Sequence, residues 1–189
     1  MRATEFTRPL ETERLILRQP TMADVDPIHA FQSREDVCAY LLFSPRDRES
    51  VEAKVAESRT KTRLEKSGDY LQPTMERRDD GRVMGQMYLA VDNADAECLE
   101  IGWIMHPDYA GVGYATEAAE ALLEFAFTVV GAHRVIATLD PANDASIRVC
   151  RRLGMRKEAH LLEDMRIKGE WADTGVYAIL DREWSAAHR

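Results

Sequence analysis

The stretch Glu100-Ile-Gly-Trp-Ile-Met-His-Pro-Asp-Tyr-Ala-Gly-Val-Gly-Tyr-Ala-Thr-Glu117 decides the fold. Its first half alternates Ile101, Trp103 and Met105 with Gly102 and Ile104, a period-two pattern rich in strand formers. His106-Pro107-Asp108 ends the strand, because proline fixes its own φ and restricts the residue before it. After Gly113 the spacing turns helical. Ala115, Ala118, Ala119, Leu122, Leu123, Ala126, Phe127 and Val130 form one apolar stripe, with Glu117, Glu120 and Glu124 off it. Gly111 and Gly113 let the turn between strand and helix adopt unusual φ and present free N–H groups at the helix N-terminus. Such a turn suits a phosphate or pyrophosphate; it also serves as a plain strand-to-helix connection.

Working outward, His133 to Leu139 is a strand built on Val135, Ile136 and Leu139. Asn143 to Leu153 is a short helix with Gly154 as its C-cap. About Met155 to His160 and Gly175 to Leu180 form a last pair of strands around a loop containing Gly169-Glu-Trp171. Upstream, Tyr70 to Arg77 and Val83 to Val91 flank Asp79-Asp80-Gly81, a hairpin signal, and Asp92 to Glu97 is a polar loop. Glu13 to Arg18 is a first strand, and Thr21 to Asp24 caps a helix through Ile28, Ala30 and Phe31. Asp36 to Leu42 is an apolar cluster. A charged helix is expected from about Arg46 to Lys66, ended by Ser67-Gly68-Asp69. Hairpins, one central strand–helix–strand unit and flanking helices predict a single α+β domain over residues 1–189, with a mixed, largely antiparallel sheet.

The chain's length suits one domain with a core that needs no metal or disulfide. A formal net charge of −8 argues against nucleic acid as a partner and favours cationic ones. Cys38, Cys98 and Cys150 are odd in number, form no CxxC and fit a reducing compartment. The N-terminus has no signal-peptide apolar run, and no stretch suits a membrane span, so the expected location is cytoplasmic. His106 sits at the strand end in a cleft-lining position, where a turn histidine before proline is usually unremarkable, and His29, His133, His160 and His188 show no metal-ligand spacing.

A Walker loop needs Gly-Lys-Ser/Thr, and Gly113 is followed by Tyr114-Ala115, which excludes it. A dinucleotide fingerprint would need glycine where Thr116 stands, although Asp140 imitates its ribose-binding acid. That reading implies an NAD(P)-dependent oxidoreductase.

The third reading is a resemblance. Asp108-Tyr-Ala-Gly-Val-Gly-Tyr-Ala-Thr-Glu-Ala118 resembles the acyl-CoA pyrophosphate loop of the GNAT superfamily of N-acetyltransferases. Leu99-Glu-Ile-Gly-Trp103 is similar to that family's fourth strand, and Asn143-Asp-Ala-Ser146 through Leu153-Gly154-Met155 to its Asn-x-x-Ser…Leu-Gly-Phe segment. Thr12-Glu-Arg-Leu-Ile-Leu-Arg18 and Ile167-Lys-Gly-Glu-Trp171 resemble the RimJ/RimL-like branch, whose named members acetylate ribosomal-protein N-termini. The resemblance implies a GNAT-like fold, acetyl-CoA as acyl donor, and an amine acceptor that is a peptide N-terminus or a small amine. It leaves a homodimer open. Two departures stand out. The loop begins with Ala110 where the family often has Arg or Gln, and Cys150 stands where many members carry a proton-donating Tyr.

By this resemblance the pyrophosphate falls on Ala110, Gly111, Val112, Gly113, Tyr114 and Ala115, and the pantetheine arm on the backbone of Ile104 and Met105. Asn143 contacts the arm or caps its helix, and Ser146 stands near the cofactor sulfur. Arg148, Arg151 and Arg152 meet adenosine phosphates or form a solvated face.

The acceptor amine must be neutral to attack a thioester. A lysine-like amine is neutral in under about one molecule per thousand at pH 7, an α-amine in about a tenth. Glu100 is the candidate base, because a charge beside Ile101 and Ile104 is costly unless it has a task; the alternative is a solvent-facing strand carboxylate. Trp171 and Trp184 are expected to pack. The expected activity is acetyl transfer from acetyl-CoA to a primary amine. A non-catalytic acyl-CoA-binding module on the same fold is the alternative.

Overall fold

The structure, a computed structural model, describes residues 1–188. Strands β1 (Thr4–Glu5), β2 (Leu10–Glu11) and β3 (Leu15–Arg18) lead through a 3-10 turn into helix α1 (Val25–Gln32). Helices α2 (Glu35–Cys38) and α3 (Arg48–Ser58) are followed by β4 (Arg63–Leu64), β5 (Tyr70–Leu71), β6 (Thr74–Arg77) and β7 (Val83–Asn93). Then come β8 (Cys98–Met105), α4 (Tyr114–Glu124), β9 (Arg134–Leu139) and α5 (Asp144–Arg152). The long hairpin β10 (Arg156–Ile167) and β11 (Glu170–Leu180) and helix α6 (Asp181–Ala187) complete the order.

One large sheet runs β10-β11-β9-β8-β7-β6-β3-β2, with β5 also on β7. Every pairing in it is antiparallel except β8 with β9, which is parallel. That parallel ladder lasts only from Cys98↔Arg134 to Glu100↔Ile136. Beyond Glu100 the two strands continue unpaired with each other, β8 to Met105 and β9 to Leu139, so the sheet opens along their C-terminal halves. An α/β dinucleotide fold needs a run of parallel strands at the glycine turn. One short parallel pair in an antiparallel sheet overturns the oxidoreductase reading.

Each face of the sheet has its own core, as strand parity dictates. Leu99 and Ile101, buried, and Trp103 and Met105, half-buried, pack in the cluster that holds Ala118, Ala119, Leu122 and Leu123 of α4. Burial of each such leucine contributes on the order of 2 kcal/mol. Ile104 turns to the other face, against Val25, Ile28 and Phe31 of α1 and Val51 and Val55 of α3. The apolar stripe read from Ala115 to Val130 is the buried side of α4, which continues as a π-helical segment at Phe125–Val130 and ends at Gly131 with φ +75°.

Three elements depart from expectation. The charged helix stops at Ser58, because Leu64 is drawn into the core and Arg63 and Leu64 pair with Glu5 and Thr4; Ser67–Asp69 is a turn between strands. The loop expected around Gly169 is a hairpin whose strands run to Ile167 and from Glu170, turned by Lys168 (φ +54°) and Gly169 (φ +92°). Glycine at the second left-handed position is what such a two-residue turn requires. Trp184 packs in the core on α6, whereas Trp171 is 60 % exposed at the hairpin tip, its ring beneath the Arg166 guanidinium.

Candidate active site

Two cavities of about 400 Å³ each lie at the opening between β8 and β9. They meet at Tyr40, Leu41, Trp103, Ile104, Asn143 and Ser146, which line both. The first is floored by the glycine turn. Ala110, Gly111, Gly113, Tyr114, Ala115 and Thr116 line it, together with Ile104 and Met105 of β8 and Arg148 and Arg152 of α5. The second holds Tyr88, Glu100, Thr138, Asp140 and Asp173, walled by Leu42, Phe43, Met165 and Ile167.

The turn is built to receive an anion. Gly111 and Gly113 adopt φ +82° and +92°, where a Cβ is strained. Gly113 is the N-cap of α4 and offers no side-chain bond, and Glu117 N–H makes the first bond, to the Gly113 carbonyl. The N–H groups of Tyr114, Ala115 and Thr116 thus have no acceptor within the helix, at the positive end of its dipole. The Thr116 hydroxyl is buried without a partner, and its residue lines this cavity. The sequence spacing marked Thr116 only as the residue standing where a dinucleotide fingerprint needs glycine, and gave its hydroxyl no role. Val112 departs from the rest: its side chain is 56 % exposed and lines neither cavity. The side chains of Arg148 and Arg152 make no hydrogen bond or ion pair among the described residues, while Arg151 does not line the cavity. Two of the three arginines are therefore at the cleft rather than on a solvated face alone.

In the second cavity Glu100 accepts a hydrogen bond from the Thr138 hydroxyl across the opened sheet. Tyr88 stands opposite Gly102 in the β7–β8 register and so shares Glu100's face. Burial, and then the Glu100 charge, push the Tyr88 phenol above its ordinary pKa, which keeps it a proton donor at neutral pH. Asp173 is held below the usual carboxylate range by the Glu163 backbone N–H and by His160, 2.8 Å away. Asp140 Oδ1 accepts from the Ala142 N–H. All three carboxylates belong to a cavity with apolar walls.

At the junction, Asn143 caps α5, its Oδ1 accepting from the Ser146 N–H at 3.0 Å. The Ser146 Oγ accepts from the Trp103 indole Nε1. Cys150, one turn on, lines neither cavity; it is fully buried, and burial pushes its thiol up to about 12. Shared helical face therefore does not bring Cys150 to the cleft. His106 follows the C-terminal end of β8, its ring edge-to-face with Phe31 and tilted against Tyr109, and its Nδ1 accepts from the Asp108 N–H. Among the described residues no group of His, Cys, Asp and Glu could hold a metal ion, and no helix is long and apolar enough to cross a membrane.

The central strand thus opens from its parallel neighbour with a glycine turn on one side and a carboxylate on the other. Residues 14–156 match the family described as Acetyltransferase (GNAT) domain. The chain is 32 % identical over 181 residues to Uncharacterized N-acetyltransferase YnaD of Bacillus subtilis (strain 168), covering 93 % of this chain and 99 % of that one. It is 28 % identical over 110 residues to Spermidine N(1)-acetyltransferase of Escherichia coli (strain K12), covering 58 % and 59 %. The crystal structure of the acetyltransferase (GNAT family) from Bacillus anthracis superposes with a TM-score of 0.84 at 29 % identity, over 93 % of this chain and 99 % of that one. The chain belongs to the GNAT acetyltransferase family, and acetyl-CoA is the acyl donor of such enzymes.

Proposed function

We propose that the protein transfers the acetyl group of acetyl-CoA to a cationic primary amine by direct attack, with Glu100 as general base and Ser146 assisting the departing thiolate. The observation that carries this reading is the meeting of the two cavities at Trp103, Asn143 and Ser146. The donor lies in the first cavity, its pyrophosphate on the N–H groups from Gly111 to Ala115 and on the Thr116 hydroxyl, its adenosine phosphates toward Arg148 and Arg152. Its thioester reaches the junction, beside the backbone of Ile104 and Met105. The acceptor enters through the second cavity. Glu100 first takes one proton from the ammonium, directly or through one water, so that the neutral nitrogen adds to the thioester carbonyl; the second proton leaves the nitrogen of the adduct to solvent. The tetrahedral intermediate then expels the CoA thiolate, and Ser146 donates a hydrogen bond to the sulfur as charge forms there.

Three carboxylates and apolar walls favour a small or extended cationic amine, and the likeness to a spermidine acetyltransferase agrees with a polyamine-like acceptor. The second reading, a protein N-terminal α-amine, rests on the motifs Thr12–Arg18 and Ile167–Trp171 of the RimJ/RimL-like branch. An acetyl-transfer screen over polyamines, amino acids, aminoglycosides and peptides decides between them. Turnover with di- and polyamines and not with peptides supports the first; turnover confined to peptide N-termini replaces it with the second. CoA release with neither overturns the amine assignment.

A further inference from the structure

The glycine turn is held from outside by the connection between β2 and β3. Glu117, in the opening turn of α4, lies half-buried with its side chain 17 % exposed. Its Oε1 accepts from the Thr12 hydroxyl at 2.5 Å and from the Arg14 backbone N–H at 2.9 Å, and its Oε2 from Arg14 Nε at 2.6 Å. The Arg14 guanidinium lies over the Tyr114 ring, 4.5 Å from its centroid, and its Nη1 donates to the Val112 carbonyl at 3.1 Å. The strand end bearing these groups is itself fixed. Arg78 donates from its backbone N–H to the Arg14 carbonyl at 3.0 Å and from Nη1 to the Thr12 carbonyl at 2.6 Å.

We propose that Arg14 is a positioning residue for the acyl donor: through Glu117 and the Val112 carbonyl it sets the glycine turn in the orientation that binds the pyrophosphate. The inference rests on the reading of that turn as the donor's anion site.

In a trans peptide the C=O and the following N–H point in opposite directions. Tying the Val112 oxygen to Arg14 therefore turns the Gly113 N–H away from Arg14. Gly113 lines the donor cavity and Arg14 does not. Gly113, at positive φ and without a Cβ, lets this peptide rotate, and a rotated peptide would present an oxygen to the anion instead of a donor. Arg14 also closes the space beside the turn, since a Cβ on Gly113 would stand 3.5 Å from Nη2. Finally, Glu117 suits the helix dipole but would repel a phosphate at the same terminus, and the guanidinium offsets that charge. Ala110 brings no side-chain donor to the turn; Arg14 acts from behind it.

Arg14→Gln and Arg14→Lys test this, with acetyl-CoA titrated by calorimetry and steady-state rates measured against both substrates. Arg14→Gln is expected to raise Kd and KM for acetyl-CoA about tenfold, the scale of one lost charge-assisted bond, with kcat and the amine KM within about twofold. Arg14→Lys, which keeps the charge but cannot bridge Glu117 and Val112 together, is expected to recover only part of that loss. CoA lacking its 3′-phosphate should show the same tenfold loss. If the loss disappears with that analogue, Arg14 touches the 3′-phosphate and the positioning role is overturned. Equal losses in kcat and in both KM values, with a lower Tm, also overturn it by making Arg14 merely structural. Gly113→Asp separates the two levels of inference. If it leaves acetyl-CoA affinity unchanged, the turn is not the anion site; if it abolishes binding while both Arg14 variants bind as wild type, only the positioning role fails.

Discussion

The Trp103 indole Nε1 donates to the Ser146 Oγ across 3.3 Å, joining the opened half of β8 to the first turn of α5. A serine hydroxyl that accepts there keeps its own hydrogen for another acceptor, and both cavities border it. A CoA thiolate resembles Cys in basicity, so it needs a hydrogen bond more than a full proton. Ser146→Ala is expected to lower kcat roughly tenfold to a hundredfold, and Trp103→Phe to lower it by less. Cys150→Ala should cost stability and little kcat, because its side chain lies in the core. Single-turnover rates check all three; a larger loss in Cys150→Ala at unchanged Tm would reverse the roles.

Glu100 faces an apolar-walled cavity and holds the Thr138 hydroxyl. As general base, its replacement by Gln should lower kcat by about 10²-fold at neutral pH and leave acetyl-CoA affinity near wild type. The deficit should shrink as pH rises toward the amine's own pKa, where the acceptor deprotonates unaided. Parallel pH–rate profiles for the two proteins would remove Glu100 from that role.

Thr116 offers a separate test of the donor cavity. Its hydroxyl is buried and unpartnered in the free protein, a cost that a phosphate oxygen would relieve. Thr116→Val keeps the volume and removes the bond. Acetyl-CoA should bind about threefold to tenfold more weakly, while the Tm of the free protein holds or rises. Unchanged affinity would put the phosphate elsewhere along the turn.

The fold was legible where period and punctuation coincide. From Glu100 to Gly154 the strand, glycine turn, helix, strand and capped helix follow from local pattern. What was not legible depends on contacts remote in sequence. Leu64 ends the charged helix because Thr4 pairs with it, sixty residues away along the chain. Tyr88 shares Glu100's face through a register that a bulge between Val91 and Asn93 shifts, so counting along β7 alone misplaces it. Arg14 stood in a quoted motif, but nothing in that motif says that its side chain reaches Val112. Cys150 shows the opposite limit: it lies four residues after Ser146 on one helix, yet only Ser146 borders the cleft.

Asp24 gives a pH dependence with a definite sign. Its side chain is 5 % exposed, and Arg18 bonds both its oxygens, at 2.8 and 2.9 Å, while also bonding Glu76. Burial favours the neutral acid, but the Arg18 bonds and the Thr21 N–H outweigh it and lower the carboxyl below its ordinary pKa. A folded pKa below the unfolded one means the stabilisation is full above about pH 4 and is lost as pH falls toward the folded value. Asp24→Asn should therefore destabilise the protein by about 2–4 kcal/mol at pH 7, by leaving Arg18 underpaired, and flatten the acid limb of its stability curve. Urea melts from pH 7 to pH 3 check this; equal losses at both ends would mean that packing, not charge, carries the effect.

The last prediction concerns entry to the acceptor cavity. Lys168, at the turn of the β10–β11 hairpin, donates from Nζ to the Cys38 and Ala39 carbonyls at the end of α2. The segments on either side of that contact both line the acceptor cavity, Tyr40 to Phe43 from one and Met165 and Ile167 from the other. An ammonium on the last carbonyls of a helix is favourable by charge and by dipole, though α2 is a single turn and the dipole term is small. The bond therefore acts mainly as a tie between two otherwise separate cavity walls. Lys168→Met keeps the length of the side chain and removes its donor. Loosened walls should raise the amine KM about threefold to tenfold, leave acetyl-CoA affinity unchanged, and lower Tm by at most a few degrees, since the tie lies near the surface. A substrate series separates this from a charge effect. If Lys168 acts by repelling cationic acceptors, the variant should bind di- and polyamines more tightly than wild type; if it acts as a tie, long and short amines should lose affinity together.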